Sequence, residues 1–113
     1  MSSELLKLLK ARLKKFHPDD IVFSNHSRIQ ASVRQIDLSE VKQNLTNPKR
    51  LVYAKKEAGR RKGETKYDTY FAYAPSYAHR YIFTMNGKIV VVTVIKIQRN
   101  WQKLVEWYEK IRS

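Results

Sequence analysis

The chain has 113 residues, no cysteine, and 23 Lys and Arg against 10 Asp and Glu, for a formal net charge of +13. That length suits one domain with its own core, and 42% hydrophobic with 12% aromatic residues separates it from disordered chains. The composition excludes disulfides, thiolate metal sites and cysteine nucleophiles, and no run approaches the roughly 20 apolar residues of a spanning helix.

Residues 4–16 carry Leu5, Leu6, Leu9, Leu13 and Phe16 at helical spacing. Ser2 or Ser3 can cap this helix, with Glu4 in its first turn. Lysines interrupt its leucines and no small-residue cleavage site follows, so a signal peptide is not expected and the protein reads as cytoplasmic, without a membrane partner. His17-Pro18 ends the helix, and Ile21 to Phe23 follows as a short strand or extended link. A second helix is predicted over 26–35, with Ile29, Val33 and Ile36 inward. A third starts at Asp37 or Ser39, buries Leu38, Val41 and Leu45, and stops at Asn47-Pro48.

The second half reads as strands over 50–56, 67–73, 77–85 and 88–98, then a helix over 101–111 burying Trp101, Leu104, Val105, Tyr108 and Ile111. Asn86-Gly87 is a type I′ turn signal. Taken as a two-residue loop, it sets Met85 opposite Lys88. Tyr81, Phe83, Val90, Val92 and Val94 then share the core face, and Arg80, Ile82, Thr84, Ile89, Val91 and Thr93 share the other. The order defines an α+β domain. Its antiparallel sheet has about four strands, with the N-terminal helices packed on one face and a C-terminal helix closing the chain.

A domain this basic repels itself, and a polyanionic partner is the usual compensation. Residues 49–66 hold eight Lys and Arg against Glu57 and Glu64, which is +6 of the +13. Lys55, Lys56, Arg60, Arg61, Lys62 and Lys66 are therefore candidate contacts to a nucleic-acid backbone, with RNA ahead of DNA. Tyr53, Tyr67 and Tyr70 lie close enough in sequence to stack on unpaired bases. Three histidines without a close pair form no metal-ligand set, and phosphate-loop, dinucleotide-turn and nucleophile-elbow motifs are lacking, so neither a metal nor a cofactor is expected. Metal-free RNA cleavage by the substrate's own 2′-hydroxyl still needs only an acid, a base and cations. His26, opening the second helix, is the imidazole best placed for that work. The sheet geometry adds Arg80 and Tyr81 to it.

The run His26-Ser27-Arg28-Ile29-Gln30-Ala31-Ser32-Val33-Arg34-Gln35-Ile36-Asp37, followed by Val41, Leu45, Asn47 and Pro48, resembles a bacterial and archaeal domain family grouped with the RelE/ParE-type toxins. That family's pattern is a histidine opening a helix, arginines four and eight on, an isoleucine ten on, a helix ending in Asn-Pro, and an antiparallel sheet. His26, Arg34, Ile36 and Asn47-Pro48 match, while Gln30 stands at the first arginine position. The likeness covers residues 21–98, with 1–20 as an N-terminal helical extension and 99–113 as a C-terminal helix. It implies a RelE-like fold and a metal-independent endoribonuclease, with Arg34 joining His26, Arg80 and Tyr81 as candidate catalytic groups. It also implies an acidic antitoxin-like partner. Two readings stand beside it: a non-catalytic nucleic-acid-binding regulator, and an interaction module neutralised by an acidic protein. The amphipathic N-terminal helix offers a homodimer contact.

Overall fold

In a computed structural model, described over residues 3–112, the chain forms α1 (Ser3–Leu13), a 3-10 turn (Pro18–Asp20), β1 (Ile21–Phe23), α2 (Asn25–Val33) and α3 (Leu38–Thr46). Then come β2 (Leu51–Ala58), β3 (Thr65–Ala74), β4 (Tyr77–Met85), β5 (Ile89–Ile97) and α4 (Trp101–Arg112). The Ser2 cap expected for α1 lies outside the described residues. Ser24 caps α2, its hydroxyl accepting from Ser27 N at 3.1 Å. Asp37 caps α3, its carboxylate accepting from Ser39 N at 2.9 Å. Between them the chain turns through Gln35 at φ 56°. Ile36 N donates to Ala31 O at 2.8 Å and Gln35 N to Ser32 O at 3.2 Å, the bond pair of a Schellman cap with glutamine in glycine's place.

The sheet is five-stranded, in the order β1-β5-β4-β3-β2. The expected antiparallel meander is its main part. The short segment Ile21–Phe23 adds a fifth strand at the edge, parallel to β5, with Ile21 opposite Ile89 and Phe23 opposite Val91. Ile21 and Phe23 are buried and Val22 exposed, so the strand shields one face of the core from the sheet edge. Beyond β1, α2 runs alongside β5. There Gln30 Oε1 accepts from Val94 N at 2.9 Å and satisfies a backbone donor that β1 no longer reaches.

Helices cover both faces. Leu9, Leu13, Val41 and Leu45 of α1 and α3 close over Phe71, Tyr81 and Phe83. On the opposite face α4 lays Trp101, Leu104, Val105 and Tyr108 over Tyr53, Tyr70, Ala78 and Ile97. The C-terminal helix thus forms a separate layer and not an addition to the first. Full burial of Leu9 and Leu13 is worth on the order of 2 kcal/mol each. So α1 is part of the core, with Leu5, Leu6 and Phe16 packed against it beside Leu9 and Leu13.

Two expectations about faces fail for local reasons. In α2 the buried residues are Ser27 and Ala31, while Ile29 is 63% and Val33 75% exposed. Small residues bring the helix close to β5, and Ile36 reaches the core only after the left-handed turn at Gln35. In the β4–β5 hairpin, Met85 pairs with Ile89, leaving Asn86, Gly87 and Lys88 as a three-residue loop with Gly87 at φ 73°. That one-residue change turns Ile89 and Val91 inward and Val90 outward. A bulge then leaves Val92 unpaired between Phe83↔Val91 and Ile82↔Thr93, and it returns Val94 to the core face.

Candidate nucleic-acid interface

The half of the sheet face that α4 leaves open carries a cross-strand row: Val22 opposite Val90, Val90 opposite Thr84, Thr84 opposite Lys66, and Lys66 opposite Glu57. Over this row lies an open groove of about 630 Å³. His26 from the first turn of α2, Arg60 and Arg61 from the β2–β3 loop, and Lys66 from β3 all line it. Val90 and Val92 supply apolar surface. The loop is held by its own backbone: Gly59 N donates to Glu64 O at 2.9 Å and Glu64 N to Arg61 O at 3.1 Å. Glu64 Oε1 also accepts from Arg60 N at 3.2 Å. A side chain at Gly59 would meet Glu64 Cγ at 2.6 Å, so glycine permits that close approach.

Not all of the residues expected from sequence come to this groove. Among the candidate catalytic groups, only His26 does. Arg34 is the C-cap of α2, eight residues and roughly 12 Å of helix away from His26. Arg80 is on the correct face but is committed. Its Nε and guanidinium nitrogen donate to the two Asp68 carboxylate oxygens at 2.9 and 2.6 Å. The Tyr70 and Tyr108 rings flank it, each 5.7 Å from the guanidinium carbon. The hydrogen bonds to Asp68 outweigh burial and hold Arg80 firmly charged. It is a structural ion pair beneath α4 and not an available phosphate ligand. Tyr81 is buried on the other face of the sheet.

The candidate backbone contacts also divide. Arg60, Arg61 and Lys66 line the groove. Lys62 is exposed in the same loop and Lys55 is partly exposed in β2. Lys55 pairs with Asp68 across the strands and so shares the groove's face, whereas Lys56 pairs with the buried Tyr67 and points to the α1 side. Tyr53, Tyr67 and Tyr70 are buried core side chains, which removes them as stacking platforms.

A second polar constellation lies behind the sheet, between α3 and the β3–β4 hairpin. Asn44 Nδ2 donates to the hydroxyls of Tyr73 at 2.8 Å and Tyr81 at 3.0 Å. The Tyr73 hydroxyl donates to Glu40. His79 Nδ1 is 2.6 Å from the Tyr81 hydroxyl, and its Nε2 is 3.2 Å from that of Tyr77. Both ring nitrogens of His79 thus lie within hydrogen-bond reach of a tyrosine hydroxyl, and each hydroxyl can donate or accept. Burial holds His79 below the usual imidazole range, with Glu40 opposing and Lys96 reinforcing the shift. Burial and the bond to Glu40 push Tyr73 up to about 12, and burial raises Tyr81 further. Arg50 lies 4.2 Å over the Tyr73 ring. The signal in sequence is Tyr77-x-His79-x-Tyr81, a period of two that places all three on one strand face.

Among the described residues no group of three His, Asp or Glu side chains is arranged to hold a metal ion, and no helix is long and apolar enough to cross a membrane. Compared with known proteins, the chain matches no protein-family model, no curated protein and no solved structure.

Proposed function

We propose that the protein binds single-stranded RNA in the open groove of its sheet, and that His26 gives the groove the capacity for metal-independent cleavage of the RelE type. The observation that carries this reading is the convergence of His26 with Arg60, Arg61 and Lys66. In such a site the 2′-hydroxyl attacks the adjacent phosphorus as it loses its proton. The P–O5′ bond breaks to leave a 2′,3′-cyclic phosphate, and O5′ takes up a proton. His26 supplies one of the two proton transfers, and the three cations neutralise the charge that develops on phosphorus. Ser24 and His26 belong to the N-terminal end of α2, where the helix dipole also favours an anion. The likeness of the 26–48 run to RelE/ParE-type domains points the same way.

Binding without cleavage is the second reading. It is favoured by the placement of Arg34, Arg80 and Tyr81, none of which reaches the groove. Labelled single-stranded RNA incubated with the protein, with and without EDTA and beside His26→Ala, separates the two. Cleavage that survives EDTA and is lost in the variant supports the nuclease. Salt-sensitive binding with no product supports the regulator. Absence of both would remove RNA as the partner.

A further inference from the structure

A groove that attracts phosphate has no electrostatic use for a carboxylate, yet two line it, Glu57 and Glu64. Glu64 is accounted for, since it accepts from Arg60 N and packs against Gly59. Glu57 is not. It faces Lys66 across β2 and β3, but among the described residues it forms no ion pair within 4.0 Å. It is only partly exposed, on the face that carries Thr84 and Val90. A carboxylate has two coplanar acceptor oxygens and no donor of its own.

From this we infer that Glu57 reads a base of the bound RNA, and that the base is guanine. The inference rests on the RNA-binding reading above. The groove's volume of about 630 Å³ falls within the range of small-molecule sites, about 300–1,000 Å³. Val90 and Val92 offer an apolar surface for the flat face of a base, while Arg60, Arg61 and Lys66 take its phosphates. Unpaired bases are read through hydrogen bonds on their Watson–Crick edges. Only guanine presents two adjacent donors there, N1–H and the N2 amino group, in the spacing of a carboxylate's two oxygens. Uracil and adenine each set an acceptor beside their single donor group, and cytosine offers its amino group beside an acceptor nitrogen. Each of these three therefore brings an acceptor against one Glu57 oxygen. Guanine alone repays the cost of a carboxylate among phosphates.

The test uses fluorescence anisotropy with labelled pentamers of uridine in which only the central nucleotide varies, carrying 2′-fluoro sugars so that they cannot be cleaved. The expected result is that the guanine pentamer binds at least about tenfold tighter than the uracil, adenine and cytosine ones. An inosine pentamer, lacking the N2 amino group, should fall between. Glu57→Gln should abolish the preference while binding the all-uridine pentamer at least as well as the parent, because a negative charge has gone. A role confined to pairing with Lys66 in the sheet would instead move the unfolding midpoint and leave base preference untouched. Equal binding of all pentamers by the parent protein, or a guanine preference that survives in Glu57→Gln, overturns the inference and leaves RNA binding standing. Failure of every pentamer to bind, even at low salt, overturns both.

Discussion

Tyr81 is fixed by three side chains at once: its hydroxyl accepts from Asn44 and shares a hydrogen bond with His79 Nδ1 at 2.6 Å, and its ring centre lies 4.9 Å from that of Phe71. Tyr81→Phe keeps the ring and strands an imidazole nitrogen and an amide hydrogen in the core. A loss of about 1–3 kcal/mol is expected in urea unfolding. The same network sets a pH dependence. His79 is 1% exposed and its folded pKa lies below the ordinary 6.5, so the unfolded chain takes up a proton that the folded one refuses. Stability is therefore level above about pH 6.5 and falls as pH drops from there toward the lowered folded value. Urea midpoints measured between about pH 8 and pH 5 should show that decline in the parent and a shallower one in His79→Gln. Equal slopes would place the titration elsewhere. At Gln35, held at φ 56°, a side chain pays for a conformation that glycine adopts freely. Gln35→Gly should raise stability by up to about 1 kcal/mol.

Elements are where the sequence is most legible, because periodicity is local. The helices around Leu9 and Leu13 and around Val41 and Leu45, and the four long strands, follow directly from apolar spacing and, for the second of these helices, from the cap at Asp37. Faces are harder to read. In Ile89-Val90-Val91-Val92 every residue is apolar, so alternation cannot choose which of them point inward, and the bulge at Val92 leaves no mark in the sequence. In α2, Ile29 and Val33 outweigh Ala31 on any hydrophobicity scale, yet the fold needs the small side chain against β5. Substitutions should reveal this. Ile29→Ser and Val33→Ser should change stability by no more than about 0.5 kcal/mol, while Ala31→Leu should cost about 1–3 kcal/mol by overpacking. Arg80 shows the same limit for charge. An arginine on a strand looks free until Asp68, twelve residues back, is seen diagonally across the neighbouring strand, accepting its hydrogen bonds. Removing it as Arg80→Met leaves a buried carboxylate alone and should cost about 3–5 kcal/mol in chemical unfolding. The double change Arg80→Met with Asp68→Leu should recover most of that loss.

For the whole molecule, layers and sites depend on contacts between distant segments. An amphipathic period in α4 announces a buried face but not which side of the sheet receives it. The parallel pairing of Ile21–Phe23 with β5 joins segments with α2, α3 and three strands between them. The basic loop was legible as composition, and His26 as the start of a helix. That His26, Arg60, Arg61 and Lys66 line one groove is a property of the fold. The central claim is that this groove, and not the diffuse charge of +13, is where RNA binds. It is tested most directly by the salt dependence of single-stranded RNA affinity in the parent protein and in the triple variant Arg60→Ala, Arg61→Ala, Lys66→Ala. Each phosphate contact contributes roughly 0.7 to the slope of log affinity against log salt. The triple variant should therefore bind weakly, with a slope smaller by about 2. An unchanged slope and affinity would place the RNA on another surface and contradict the claim.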